Sequence, residues 1–120
     1  MAILDTSTDK ITKMVSISTK DPYVQSFALC GDKVYAANGV STVSVIDARS
    51  DTFIKEIDIG YHSYAFHLKA GIAATGNAVY VADAGRGLKI IDVVTDRLST
   101  TLATEEPLGP IAIIVDDKRL

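Results

Sequence analysis

Short apolar segments alternate with turn-forming residues along the whole chain, and no segment shows the apolar spacing of an amphipathic helix. Runs such as KVYAA, TVSVID, AVYVA and LKIID are rich in β-branched and aromatic residues. Gly, Asn, Asp and Ser separate these runs from one another. Such a pattern predicts short β-strands joined by tight turns. The sequence therefore predicts an all-β protein.

The strand pattern repeats within the chain. When the sequence is shifted by 45 residues, segment 33–51 aligns with segment 78–96 without a gap. A third, partial copy lies near the N-terminus, where LDTSTD at 4–9 matches IDARSD at 46–51 and IDVVTD at 91–96. A repeat of roughly 42–45 residues has the length of one four-stranded blade of a β-propeller. The repeat therefore predicts a β-propeller fragment.

Each full copy of the repeat predicts four antiparallel strands. They lie near 26–30, 33–38, 42–47 and 53–59 in the first copy, and near 69–75, 78–83, 87–92 and 98–103 in the second. Two strands before them and one after them bring the total to about eleven. We expect one partial propeller in which 1–19 ends one blade, 26–60 and 66–105 are blades, and 109–120 opens a further blade.

Neighbouring apolar residues suggest that the blades need partners. The pairs Val45-Ile46 and Ile90-Ile91 do not alternate with polar residues, which is typical of a sheet covered on both faces. A closed propeller contains about four to eight blades, and this chain contains fewer than three. We therefore expect missing propeller blades, or copies of the same chain, as partners.

Composition narrows the function classes. The chain is 48% hydrophobic and 22% charged, as expected of a folded domain. Its net charge of −3 and the absence of a basic stripe exclude nucleic acid as the main partner. The single cysteine, Cys30, excludes an intrachain disulfide. The apolar runs are too short to span a membrane, and the N-terminal residues do not form a signal peptide.

One recurring motif resembles a calcium loop at first sight. Asp5, Asp47 and Asp92 each begin an Asp-x-x-Ser/Thr-Asp run at the same place in every copy. An Asp side chain that accepts hydrogen bonds from the backbone two residues on stabilises a turn. A calcium loop of the EF-hand type needs a longer series of ligands and a glycine. The motif therefore predicts hairpin turns, and no metal ligand is assigned.

The repeats resemble the YVTN-type and LVIVD-type β-propeller repeats of bacterial and archaeal extracytoplasmic proteins. YAAN at 35–38 and YVAD at 80–83 are similar to the YVTN tetrad, and segments 43–60 and 88–96 resemble the strand-turn-strand that follows it. The tail at 109–120 resembles the innermost strand of a further blade. The resemblance implies a location in the periplasm or at the cell surface.

The architecture points to loop residues as candidate ligand or partner contacts. In propellers, ligands usually bind on the face that carries the fourth-to-first and second-to-third strand loops. The candidates in these loops are Tyr23, His62, Tyr64, Asp83 and Arg86. For each residue a structural role is the alternative. Aromatic and histidine side chains pack within loops, Asp83 is a turn former, and Arg86 is a solvated turn charge.

No catalytic signature is present. The chain lacks G-x-S-x-G, a P-loop, H-E-x-x-H and C-x-x-C, so no catalytic, cofactor-binding or metal-binding residue is assigned. The favoured hypothesis is a non-catalytic scaffold that binds protein, glycan or another ligand. The alternatives are a fragment of a propeller enzyme (lactonase-like or quinoprotein dehydrogenase-like), a self-completing oligomeric ring, or a truncated product that associates without a selected function.

Overall fold

The chain folds into β-strands joined by short loops. The computed structural model describes residues 1–17, 24–38, 42–60, 71–83 and 87–102, and within these ranges it contains ten strands and no helix. The strands are β1 (Ala2–Asp5), β2 (Lys10–Met14), β3 (Val24–Cys30), β4 (Lys33–Asn38), β5 (Thr42–Asp47), β6 (Thr52–Asp58), β7 (Gly71–Thr75), β8 (Ala78–Asp83), β9 (Gly87–Asp92) and β10 (Arg97–Leu102). The predicted all-β fold is confirmed.

The strands form three antiparallel sheets, each a simple up-and-down meander. We call β1–β2 blade 1, β3–β4–β5–β6 blade 2, and β7–β8–β9–β10 blade 3. The first strands of blades 2 and 3, β3 and β7, lie side by side, and their last strands, β6 and β10, also touch. The sheets are therefore stacked face to face with corresponding strands adjacent, as expected for neighbouring blades of a propeller.

The sequence repeat is also a repeat of strand register. Val34 pairs with Ile46 across β4 and β5, and Val79 pairs with Ile91 across β8 and β9. The bounds predicted at 33–38, 42–47, 78–83 and 87–92 agree with the structure. The fourth strands begin one residue earlier than predicted, because the residue after each loop already pairs with the aspartate before it. The predicted eleventh strand at 109–120 lies outside the described residues.

Two apolar clusters hold the blades together. The larger lies between blades 2 and 3 and includes Val45, Val79 and Ile91, all fully buried. The smaller lies between blades 1 and 2 and includes Val15 and Ile46. Adjacent residues 45 and 46 thus contribute to opposite clusters, as expected for a sheet covered on both faces. Each such side chain stabilises the fold by about 1.5–3 kcal/mol relative to its exposed state.

Two glycines set the turn between the first and second strands of each full blade. Gly31 follows β3 and Gly76 follows β7, each as the first residue of a two-residue loop. Their φ angles are 59° and 40°. Glycine adopts positive φ without the steric cost that a Cβ imposes, so this position favours glycine in tight hairpins. The same turn is thereby formed in both blades.

One face of blade 2 is incompletely covered by the described residues. Phe27 and Leu29 of β3 are 50% and 66% exposed, whereas Ile72, which occupies the position of Phe27 in blade 3, is only 9% exposed. Blade 3 packs its innermost strand against blade 2, but blade 1 has two described strands and both belong to its outer half. The exposed apolar surface thus lies where the inner half of a full blade would pack.

Candidate functional site

Each hairpin between the third and fourth strands of a blade is built in the same way. A four-residue loop connects the two strands, and the aspartate before the loop accepts hydrogen bonds from backbone N–H groups within it. Oδ1 of Asp47 lies 2.8 Å from the nitrogen of Arg49 and 3.2 Å from that of Ser50. Asp5 and Asp92 make equivalent bonds two residues on. The predicted turn role of these three aspartates is confirmed.

The turn hydrogen bonds change the acidity of two of these aspartates. The bond from the backbone of Arg49 is the largest influence on Asp47, and the bond from the Ser7 hydroxyl is the largest influence on Asp5. Both hold the pKa of the carboxyl group below its ordinary value of 3.8, because the donors favour the ionised form. The ionised carboxylate of these residues therefore stabilises the turns more than the protonated carboxyl group does.

A second aspartate ends each of these loops in an unusual backbone conformation. Asp9, Asp51 and Asp96 have φ angles of 53°, 53° and 50°. This left-handed region is costly for most residues but is tolerated by Asp and Asn. All three carboxyl groups therefore project from the same position of the same turn.

The carboxylate of Asp96 is the centre of a polar cluster between blades 2 and 3. Its Oδ1 accepts a hydrogen bond of 2.6 Å from the hydroxyl of Tyr35, and its Oδ2 lies 2.7 Å from Nζ of Lys33. The same ammonium group donates to the carbonyl of Val93 at 2.9 Å. Tyr35 and Lys33 come from β4 of blade 2, whereas Asp96 and Val93 belong to the β9–β10 loop of blade 3.

The Tyr35–Asp96 part of this cluster is buried, whereas the side chain of Lys33 is 30% exposed. Tyr35 is fully buried and Asp96 is 8% exposed. Burial, and then the bond to Asp96, raise the pKa of Tyr35 well above its ordinary value of 10.0. The phenol therefore stays protonated and donates to a carboxylate whose charge is balanced by Lys33. We call the hydrogen bond between Tyr35 and Asp96 the Tyr–Asp latch.

A further polar network joins blades 1 and 2. The side-chain amide of Asn38 donates to the hydroxyls of Thr42 and Ser44 at 2.9 and 2.8 Å. Ser44 in turn donates to the backbone carbonyl of Ile17 in the chain that follows β2. Asn38, which ends the first YVTN-like tetrad, is 2% exposed, and its Oδ1 has no partner among the described residues. This asparagine is therefore an internal structural residue.

Four of the five loop residues predicted as binding contacts lie outside the described residues, namely Tyr23, His62, Tyr64 and Arg86. Asp83 is the last residue of β8, and its backbone pairs with Gly87. The structure describes the backbone of Asp83 but not its side chain. The role of these five residues in binding stays a prediction.

Sequence reasoning missed the residues of the latch. Lys33, Tyr35 and Asp96 were not predicted as a site, although their repeat positions carried a signal. Tyrosine recurs at residue 80 and aspartate at residue 51 with the same spacing of 45. A recurring tyrosine and a recurring aspartate at fixed positions of adjacent blades indicate a contact between blades.

Three other kinds of feature bear on function in the described residues: a metal site, a reactive cysteine and a membrane-spanning helix. No cluster of three or more His, Cys, Asp or Glu side chains suited to a metal ion is found among them. Cys30 is half-buried, and its thiol lies 3.6 Å from the carbonyl oxygen of Gly76 in blade 3. The same residues include no helix with the length and apolar character needed to cross a membrane.

Comparison with known proteins supports the architecture. No family model and no curated protein matches the chain, so membership of the YVTN or LVIVD family stays a prediction. Among solved structures, hydrazine synthase of Kuenenia stuttgartiensis is similar, with a TM-score of 0.69 and 26% identity over 87% of this chain. Apo AztD from Citrobacter koseri is similar in fold, with a TM-score of 0.56 and 16% identity over 72% of this chain.

Both of these structures are β-propeller proteins. The matched region spans 29% of the hydrazine synthase chain and 22% of the AztD chain. The present chain thus corresponds in extent to a few blades and not to a whole propeller chain. Its fold is that of a β-propeller fragment built from antiparallel, four-stranded blades.

Proposed function

We propose that this chain is part of a non-catalytic β-propeller scaffold that binds a protein, glycan or other ligand through the loops at one end of its blades. The observation that carries the proposal is that the polar side chains between the blades form hydrogen bonds from one blade to another. Lys33 and Tyr35 of blade 2 both donate to Asp96 of blade 3. Asn38 donates to Ser44, which donates to the carbonyl of Ile17 in the chain that follows blade 1. These side chains are engaged in holding blades together, which is the task of a scaffold.

The scaffold is divided into blades as the repeat indicates. Segments 1–19, 26–60 and 66–105 contribute three successive blades, and 109–120 begins a further one. Support comes from the exposed Phe27 and Leu29, whose burial requires additional strands beside blade 1. Further blades, supplied by a longer chain or by other copies, complete the ring.

The strand directions support a common binding end. Val24 begins β3, Asn38 ends β4, and these two residues pair with each other. Asp83 ends β8 in the position that corresponds to Asn38. Asp58, which ends β6, pairs with Thr42 at this same end. The strand ends that flank segments 18–23, 39–41, 61–70 and 84–86 therefore all lie at one end of the blades. The proposed ligand surface at this end consists of Tyr23, His62, Tyr64, Asp83 and Arg86.

A capture experiment tests this surface. A glycan array and a displayed peptide library are screened with the purified chain, and the selected ligand is titrated against the variant Tyr64→Ala/Arg86→Ala. We expect at least a tenfold loss of affinity, since Tyr and Arg are frequent hot-spot residues. The matched control is Arg49→Ala in the β5–β6 loop, at the opposite end of blade 2. Equal affinity of the loop variant and the wild type would remove the surface from the proposal.

The resemblance to YVTN and LVIVD repeats supports a location in the periplasm or at the cell surface. Fractionation of cells that express the natural gene with a C-terminal tag tests this part of the proposal. Recovery of the tagged protein in the periplasmic or surface fraction supports it, and recovery in the cytosol contradicts it.

The second candidate function is that of a fragment of a propeller enzyme of the lactonase-like or quinoprotein dehydrogenase-like type. The observation that favours it is the 26% identity with hydrazine synthase over 87% of the chain. Propeller enzymes assemble their metal or cofactor from groups on several blades, so this chain would supply only part of such a site. Calorimetric titration of the full parent protein with calcium and with a quinone cofactor distinguishes the two functions, because a scaffold binds neither tightly.

A further inference from the structure

The Tyr–Asp latch is formed once, but its components recur in the chain. Under the 45-residue shift, Tyr80 of blade 3 corresponds to Tyr35, and Asp51 of blade 2 corresponds to Asp96. Asp9 of blade 1 stands at the same position of the same turn, with the same φ of 53° as Asp51. Blade 3 therefore has its own latch tyrosine, and blade 1 has its own latch aspartate.

The alternation of side chains along β8 places Tyr80 on the outer face of blade 3. Val79 and Val81 pack in the cluster between blades 2 and 3. Because successive side chains of a strand point to opposite faces, Tyr80 points away from blade 2. Tyr35 likewise points from blade 2 towards the next blade, blade 3. Tyr80 is half-buried, and its hydroxyl makes no hydrogen bond to any described residue.

Asp9 is the complementary acceptor at the other end of the chain. It is exposed, and its carboxylate makes no hydrogen bond to any described residue. In the Tyr–Asp latch, the tyrosine of one blade donates to the aspartate of the blade that follows it in the chain. In a head-to-tail arrangement of two copies, blade 1 of the second copy follows blade 3 of the first. Asp9 then stands opposite Tyr80.

We propose that a second copy of this chain docks on the outer face of blade 3, with its Asp9 carboxylate accepting a hydrogen bond from the Tyr80 hydroxyl. The proposal rests on the proposed scaffold function, since it concerns how the scaffold gains its next blade. A second copy fits because the donor and the acceptor are both present in this sequence and match a pair that the fold already makes. Ala78 replaces Lys33 in blade 3, so this contact lacks the lysine.

The third left-handed aspartate provides a matched control. Asp51 has the same backbone conformation and turn as Asp9. Its loop, however, already faces blade 1 of its own chain, where Nζ of Lys13 lies 3.2 Å from the carbonyl oxygen of Ser50. No tyrosine of a second copy is opposite Asp51 in the head-to-tail arrangement. Substitution by glycine removes the carboxylate at either position and keeps the left-handed backbone without strain.

Sedimentation equilibrium of the 120-residue chain over a range of concentrations tests the proposal. We expect reversible self-association that Tyr80→Phe and Asp9→Gly each weaken about tenfold, as for loss of one hydrogen bond to a charged group. The double variant is expected to be no weaker than either single variant, because both remove the same bond. Asp51→Gly is expected to associate like the wild type. Far-UV circular dichroism confirms that each variant is folded.

Four results would overturn the proposal. The first two are a chain that stays monomeric and irregular aggregation in place of a defined oligomer. The others are additive effects of the two substitutions and a loss of association in Asp51→Gly equal to that in Asp9→Gly. Ligand capture by Tyr64→Ala/Arg86→Ala reports on the scaffold function independently, because the strand ends that precede these two residues, Asp58 and Asp83, are at the opposite end of the blades from the β9–β10 loop. Failure of the latch and failure of the scaffold function are thus distinguishable.

Discussion

The hydroxyl of Tyr35 donates a 2.6 Å hydrogen bond to Oδ1 of Asp96, and this bond connects two blades through residues 61 positions apart. The tyrosine lies at the centre of a strand, and the aspartate ends a turn in a left-handed conformation. Lys33 balances the charge of the same carboxylate. The bond therefore fixes how blade 2 and blade 3 sit against each other, in addition to the apolar packing between them.

The latch is expected to contribute measurably to stability. Tyr35→Phe removes the donor and keeps the ring, so the loss should reflect the hydrogen bond to a buried carboxylate. We expect the free energy of unfolding to fall by about 2 kcal/mol, measured by urea denaturation. Tyr80→Phe is the control at low protein concentration, where it should change stability by less than about 0.5 kcal/mol. Equal effects of the two substitutions would contradict a special role for Tyr35.

Removal of the acceptor should cost more than removal of the donor. Asp96→Gly leaves the hydroxyl of Tyr35 and the ammonium group of Lys33 without their carboxylate. Loss of one partner from a buried charged pair is strongly destabilising, and we expect about 3 kcal/mol from urea denaturation. Asp51→Gly has the same backbone requirement, and the Asp51 carboxylate forms no hydrogen bond or ion pair with a described residue, so this variant should lie within about 0.5 kcal/mol of the wild type. If the glycine substitutions at 96 and 51 cost the same, the effect belongs to the turn.

Stability should decline at alkaline pH because of Tyr35. Burial and the bond to Asp96 raise the pKa of this phenol above its ordinary value of 10.0 in the folded state. Its contribution is therefore complete below pH 10.0, where the phenol is neutral in both states. It is lost as the pH rises towards the folded pKa, because the unfolded chain gains stability by ionisation. Urea denaturation from about pH 9 upwards should show a steeper decline for the wild type than for Tyr35→Phe. Parallel pH profiles would contradict this.

Stability should also decline at acidic pH because of the hairpin turns. The pKa values of Asp5 and Asp47 are lowered in the folded state by turn hydrogen bonds. Their contribution is present above the ordinary value of 3.8 and is lost as the pH falls through the folded pKa values below it. Asp47→Asn retains an acceptor that does not titrate. Its urea denaturation should therefore depend less on pH below about 4 than that of the wild type. An unchanged dependence would show that the turn bond does not favour the ionised form.

The local features of this protein follow from local sequence. The strands at 33–38, 42–47, 78–83 and 87–92 were predicted with the bounds observed, because apolar β-branched runs and turn residues act over a few positions. The turn role of Asp47 was predictable for the same reason, since its hydrogen bonds reach only two and three residues along the chain. The repeat then indicated that equal local structures occur in successive blades.

The contacts between blades were decided by the tertiary structure. Tyr35 and Asp96 belong to different copies of the repeat, and neither residue's neighbours in sequence indicate its partner. Asn38 ends a correctly predicted strand, but its partners could not be predicted: it is buried and donates to Ser44 of its own blade, which in turn donates to the carbonyl of Ile17. Hydrogen-bond partners of this kind are chosen by the packing of one sheet on another, which depends on residues distant in sequence. The sequence by itself determined the strands and turns of each blade, and the stacking of the blades determined which polar groups meet.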